Sequence, residues 1–151
     1  MASPRVLVAD DSATIRAMVR RTLESIGLDI VCVSDGIKAV ERLREQPPDL
    51  AILDINMPGL NGYAVCSQLR SMGPSWARVP ILFLTSDRSN ALKLLGQKLG
   101  AFLPKPVHPD QLIATVSQFV SVQATDVKIK CPTHQLPFSI SSSTNNATSA
   151  G

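Results

Sequence analysis

Asp10 and Asp11 follow the apolar run Val6-Leu7-Val8-Ala9, and Asp54 closes the run Leu50-Ala51-Ile52-Leu53. Thr85 follows Ile81-Leu82-Phe83-Leu84, and Lys105 lies just past Phe102-Leu103. Short apolar runs bounded by turn signals read as buried strands. If those strands are parallel neighbours, all of these polar positions reach one edge of one sheet, the edge where open α/β sheets bind ligands. Carboxylates beside a hydroxyl and an ammonium suit a metal ion and a phosphoryl group.

The elements that must position them alternate. A strand over Arg5 to Ala9 leads into a helix capped by Ser12, whose hydroxyl can accept from a free N–H of the first turn. Ile15, Met18, Val19, Thr22, Leu23 and Ile26 recur at helical spacing, and Gly27 stops the helix. Leu28 to Val33 reads as the second strand. Residues 36–45 read as a second helix with Ile37, Val40 and Leu43 on one face, ended by Pro47-Pro48. Leu50 to Asp54 is the third strand, and Met57 to Gly62 is a turn-rich loop. A short helix runs to about Met72, where Gly73-Pro74 breaks it. Pro80 to Leu84 is the fourth strand, 89–99 a helix, Ala101 to Leu103 a very short fifth strand, and Pro109 to Val120 the last helix. Leu112, Ile113, Val116, Phe119 and Val120 of that helix face inward. This order predicts an α/β fold: a doubly wound, five-stranded parallel sheet flanked by about five helices.

Composition narrows the classes. The chain has 151 residues, 44% of them hydrophobic, enough for one domain with a buried core. After about Gln123 the composition shifts, and Ser139 to Gly151 is almost all Ser, Thr, Asn, Ala and Gly. Such a stretch cannot bury enough apolar area to offset its ordering entropy. The expected division is therefore a domain over 4–121 and a disordered tail or linker over 122–151. The net charge is +3, but the basic residues are scattered and only Arg20-Arg21 are adjacent. That lacks the basic stripe of a nucleic-acid groove, so no direct nucleic-acid contact is expected. Three cysteines without a CxxC fit a reducing, cytoplasmic setting. No run approaches the ~20 apolar residues of a membrane span. Cys131 and His134 have metal-like spacing, but two ligands in a tail make a poor site. Asn146-Ala147-Thr148 fits a glycosylation sequon that a cytosolic protein would not use.

Val8-Ala9-Asp10-Asp11-Ser12, Leu53-Asp54-Ile55-Asn56-Met57-Pro58-Gly59, Leu84-Thr85-Ser86 and Pro104-Lys105-Pro106 together resemble the response-regulator receiver domain, over roughly residues 4 to 121. The resemblance implies the flavodoxin-like form of the fold. It makes Asp54 the phosphoacceptor, attacking a phosphorus carried by a kinase phosphohistidine. Asp10 and Asp11 would hold Mg²⁺ with Asp54 and the backbone carbonyl of Asn56. Mg²⁺ is a hard ion that takes oxygen ligands and keeps several waters. Lys105 would pair with a phosphoryl oxygen, and its bond to Pro106 is usually cis in the family. Thr85 would sense the phosphoryl group together with Phe102, the aromatic switch position. Asn56 and Asp87 would tune dephosphorylation, and both being small and polar implies a transient phosphoryl group. The implied partners are a sensor histidine kinase or a histidine phosphotransfer protein, and a downstream protein target.

Taken singly, each residue also has a plain reading. Asp10-Asp11 can favour a helix dipole, Asp54 can end a strand, Thr85 can be a turn hydroxyl, and Lys105 can be a solvated loop lysine. Three features depart from the family pattern. Phe102 has no hydroxyl, Pro104 cannot donate to a strand ladder, and the stretch from Thr85 to Lys105 is short. The leading functional expectation is a phosphorylation-controlled interaction switch, in motility or chemotaxis for example, that modifies itself and is not an enzyme. The alternatives are the receiver portion of a longer transcription regulator or hybrid kinase, an unphosphorylated pseudo-receiver, and a phosphatase or phosphotransferase with an aspartyl-phosphate intermediate. The last usually carries a second aspartate where this chain has Asn56.

Overall fold

The computed structural model describes residues 3–86 and 100–122. The helix expected over 89–99, Asp87, and the tail beyond residue 122 lie outside the described residues. Five strands are β1 (Arg5–Ala9), β2 (Asp29–Val33), β3 (Leu50–Asp54), β4 (Ile81–Thr85) and β5 (Ala101–Pro104). All pair in parallel, in the order β2-β1-β3-β4-β5. The helices described are α1 (Ala13–Glu24), α2 (Gly36–Glu45), α3 (Gly62–Arg70), α4 (Pro74–Ala77) and α5 (Pro109–Val116).

The strands are apolar at nearly every position because both faces of the sheet are covered. Period-2 alternation sends neighbouring residues to opposite layers. Val6 and Val8 of β1, Ile52 of β3, and Leu82 and Leu84 of β4 pack with Val19 and Leu23 of α1 and Leu112 and Val116 of α5. Leu7, Ala51, Leu53, Ile81 and Phe83 pack on the other side with Val40 and Leu43 of α2 and Val65 and Leu69 of α3. Each fully buried aliphatic side chain contributes about 1.5–3 kcal/mol relative to exposure.

Side-chain caps start three of the helices. Ser12 accepts from the Ile15 N–H at 3.3 Å, as expected. Asp35 accepts from Lys38 at 2.8 Å and Asn61 from Ala64 at 2.9 Å. Gly27, just past α1, has φ of +91°, a conformation that favours glycine.

Two local expectations need correction, and one that holds needs an addition. Ile37 is not part of the inward face of α2, because it is 52% exposed. The buried stripe is Gly36, Ala39, Val40 and Leu43, at i, i+3, i+4 and i+7, and Ile37 lies one residue off it, over Gly59. Gly73-Pro74 does not merely break a helix. Pro74 takes the first position of α4, where its missing N–H is no loss. The last helix ends at Val116 and not at Val120. Gln118 and Phe119 donate three residues back, to Thr115 and Val116, which tightens the final turn.

α4 is docked by polar contacts that the hydrophobic pattern does not contain. The Trp76 indole N–H donates to the Leu43 carbonyl at 2.6 Å, satisfying an otherwise free carbonyl in the last turn of α2. Arg70 donates to the carbonyls of Ala77 at 2.7 Å and Val79 at 2.8 Å, so α3 holds the entry to β4.

The start of α3 presses on the end of β3. The Gly62 N–H donates to the Ile55 carbonyl at 2.9 Å. A Cβ at Gly62 would sit 2.6 Å from the Asp54 carbonyl oxygen, inside contact distance with backbone. Gly62→Ala should therefore destabilise the fold by about 2–3 kcal/mol through forced backbone displacement. A urea midpoint equal to that of the wild type would contradict this contact. Trp76→Phe keeps an aromatic ring but trims the indole and strands the Leu43 carbonyl, and should cost about 1–2 kcal/mol in the same measurement.

Candidate functional site

The strand order reverses between β1 and β3, where the chain crosses from one side of the sheet to the other. The carboxyl ends of those two strands open the crevice that α/β sheets use for ligands. Asp10 follows β1 directly and Asp54 is the last residue of β3, so the topology places them side by side. Thr85 ends β4, and Lys105 follows β5. The Lys105 N–H donates to the Thr85 carbonyl at 2.8 Å, extending the strand pairing to the site. Pro104 opposes Thr85 in register on the edge strand, the place in a sheet that tolerates a missing N–H.

Asp10 is fully buried and Asp54 is 3% exposed. Asp11 is exposed, yet carboxylate oxygens of Asp10, Asp11 and Asp54 lie within 4.8 Å of one another. The Lys105 ammonium reaches both buried partners, 3.1 Å from Asp10 Oδ2 and 3.2 Å from Asp54 Oδ1. The Lys105–Pro106 peptide is cis.

Backbone donors fix the carboxylates further. The Ser12 N–H donates to Asp10 Oδ1 at 2.9 Å, and the Asn56 N–H to Asp54 Oδ1 at 3.3 Å. Asp10 Oδ2 is buried and has no hydrogen-bond partner. Its contact with Lys105 is an ion pair whose alignment falls short of a hydrogen bond. A buried oxygen left in this state is unusual and marks a position where a further cationic partner fits. All-oxygen donors on three carboxylates match the preference of a hard divalent cation.

The electrostatics follow from burial. Removal from water, and then repulsion by Asp10, push the Asp54 carboxyl up to about 6, while Lys105 pulls in the other direction. Burial disfavours the Lys105 ammonium, but the Asp10 and Asp54 carboxylates outweigh this and raise its pKa. The lysine therefore stays charged, and the cluster keeps an excess of negative charge around it.

The structure thus brings Asp10, Asp11, Asp54 and Lys105 together, with Thr85 beside them at 2% exposure. Asn56 is exposed and touches the site through its N–H. Phe102 is half-buried against the layer containing Phe83, its register partner, and Tyr63. Asp87 lies outside the described residues. One contact was missed in the sequence. Arg16, on the first turns of α1, donates from Nη1 to the Asp10 carbonyl at 2.7 Å. Its only sequence signal is a long cationic side chain on the helix that follows the acidic pair.

A family model for the response regulator receiver domain matches residues 6–117. The response regulator MprA of Mycobacterium ulcerans is 40% identical over 114 residues, which cover 74% of this chain and 48% of that protein. The DNA-binding response regulator MtrA of Mycobacterium tuberculosis is 34% identical over 145 residues, 87% of this chain and 61% of that one. The chain thus spans about half to three fifths of the length of these curated relatives. Among solved structures, the chemotaxis response regulator CheY4 of Vibrio cholerae matches with a TM-score of 0.71 and 32% identity, over 79% of this chain and all of that one. The receiver domain of the sensor histidine kinase PA1611 of Pseudomonas aeruginosa matches with a TM-score of 0.69 and 26% identity, over 78% and 98%. That structure carries a magnesium ion coordinated in its active-site cleft. Sheet order, strand-end carboxylates and sequence likeness converge on one assignment, and the chain belongs to the response regulator receiver domain family of two-component systems.

Proposed function

We propose that Asp54 is the phosphoacceptor of this receiver domain. The observation that carries the reading is the Lys105 ammonium, set 3.2 Å from the Asp54 carboxylate at the switch point of the sheet. One Asp54 oxygen attacks phosphorus, forming a P–O bond as the P–N bond of a donor phosphohistidine breaks. Lys105 offsets charge on a phosphoryl oxygen, and Thr85 supplies a hydroxyl at the neighbouring strand end. Asp10, Asp11, Asp54 and the Asn56 carbonyl would hold Mg²⁺, and the orphaned Asp10 oxygen supports that fit. When bound, the ion offsets the repulsion between carboxylates and an incoming phosphoryl group. The chemistry modifies the chain itself and turns over no separate substrate.

The donor is a sensor histidine kinase or a histidine phosphotransfer protein, and Asn56 with Asp87 sets how briefly the phosphoryl group lasts. Two output readings have separate support. The likeness to CheY4 over the whole of that chain favours an interaction switch of the motility or chemotaxis kind, with Thr85 and Phe102 relaying the change. The higher identity to MprA, and the DNA-binding role printed for MtrA, favour the receiver portion of a longer transcription regulator. In that reading nucleic acid is contacted outside these residues. No helix among the described residues is long and apolar enough to cross a membrane.

Incubation with acetyl phosphate and Mg²⁺, followed by intact mass, tests the acceptor. Wild type should gain one phosphoryl group and Asp54→Asn none, and equal labelling of the two would sink the assignment.

A second prediction follows from the raised Asp54 pKa. In the folded, metal-free protein this carboxyl titrates near 6, above its ordinary 3.8. Between those values the folded state holds a proton that the unfolded state has lost, so this group makes stability fall as pH rises through that window. Asp54→Asn never ionises and escapes the effect. In EDTA it should be more stable than wild type by on the order of 2 kcal/mol near pH 7.5, an advantage that shrinks towards pH 4. Urea midpoints at both pH values check this, and a pH-independent difference would contradict it.

A further inference from the structure

We infer that Arg16 is a positioning residue for the cation site, acting through the Asp10–Asp11 peptide. This rests on the reading of Asp10, Asp11 and Asp54 as the Mg²⁺ site. Asp10 is already held at three other points: its N–H donates to the Val33 carbonyl at 3.2 Å, its Oδ1 accepts from Ser12, and its Oδ2 lies 3.1 Å from the Lys105 ammonium. Its carbonyl is the remaining free group, and the Arg16 guanidinium takes it at 2.7 Å. That carbonyl belongs to the peptide plane that carries the Asp11 N–H and leads to its Cα. Asp11 is exposed, so its carboxylate is placed by the backbone that bears it. Fixing the plane therefore fixes where the Asp11 carboxylate starts from.

Arg16 is itself anchored. Its N–H donates to the Ser12 carbonyl at 3.0 Å, and its own carbonyl accepts the Cys32 thiol at 3.9 Å, tying the first turns of α1 to β2. The planar guanidinium loses little freedom on forming such a bond, which suits a fixed strut. Groups that orient a metal's ligands commonly change metal affinity ten- to hundredfold when removed.

The sign of the effect separates positioning from plain electrostatics. Arg16 is a cation beside a cation site. Coulomb repulsion alone predicts that removing it tightens Mg²⁺ binding. A positioning role predicts the opposite, because the gain in field is outweighed by a misplaced ligand.

The experiment is calorimetric Mg²⁺ titration of the unphosphorylated protein, with melting temperatures measured in parallel. Arg16→Met removes the donor and the charge but keeps most of the apolar length. It should bind Mg²⁺ about tenfold more weakly than wild type. Arg16→Lys keeps a donor of similar reach and should recover most of that loss. Asp11→Ala serves as the control for losing a ligand outright. If Arg16→Met does not fold, Arg16→Gln carries the test, since its shorter neutral amide falls short of the carbonyl and the two signs still oppose. Affinity equal to or tighter than wild type in the neutral variant overturns the inference. So does an equal loss in Arg16→Lys, or a loss that merely tracks a lowered melting temperature. A wild type that binds no Mg²⁺ overturns both this inference and the metal-site reading beneath it, whereas the other adverse outcomes leave that reading standing.

Discussion

Two carboxylates with almost no access to water share one ammonium, and the rest of the site is arranged around that imbalance. Lys105 stands 3.1 Å from Asp10 and 3.2 Å from Asp54, which stops the pair from repelling without compensation. It does not neutralise them, because desolvation and Asp10 still lift Asp54 to about 6. Distance explains why the cation is a lysine. β5 lies three strand spacings from β1, about 14 Å at ~4.8 Å per strand. Lys105 follows β5, and its four-carbon stem covers part of that gap while the Asp10 side chain meets the ammonium from the other side.

Holding that arrangement needs a rigid floor, and the doubly covered sheet supplies it. Ala9, Leu53, Leu84 and Leu103, the residues just before or at the ends of the site strands, are all fully buried. Their packing leaves the strand ends little room to shift. α3 adds a backbone-to-backbone stop, since Gly62 lies against the Asp54 carbonyl closely enough to exclude a Cβ. The turn between them is thus set by main-chain contact, which a side chain at that position would disturb. α4 and its Trp76 bond to α2 act on the same layer from the far end, closing the gap between helices that the aliphatic pattern leaves open.

Much of this was legible in the residues. Apolar runs ending in Asp10, Asp54 and Thr85 located the strand ends, because a strand buried on both faces has no other way to be written. The Ser12 cap and the helical stripe of Val19, Leu23 and Ile26 were legible for the same reason: burial and capping are local and periodic. What stayed hidden was not periodic. Ile37 fits the stripe of α2 by type but not by angle, and only the packed helix reveals that Ala39 occupies the inward position. Trp76 on the Leu43 carbonyl and Arg16 on the Asp10 carbonyl are side-chain bonds to backbone that is distant in sequence or turned by the fold. No pattern of residue types announces them, since the acceptor is a carbonyl that every residue carries.

A site that retains net negative charge on two buried carboxylates is unstable by construction, and that property links occupancy to the state of the domain. Anything that relieves the repulsion between Asp10 and Asp54 binds the folded state more tightly than the unfolded one, so it stabilises the fold by mass action. A proton on Asp54 relieves it at low pH. A divalent cation at the proposed site would relieve it at neutral pH. A phosphoryl group on the proposed acceptor Asp54 would do the reverse locally, adding negative charge for Lys105 and the neighbouring hydroxyl to meet. The Lys105 main chain is bonded to the Thr85 carbonyl at the end of β4, so the residue that meets charge at the site is tied to both β4 and β5.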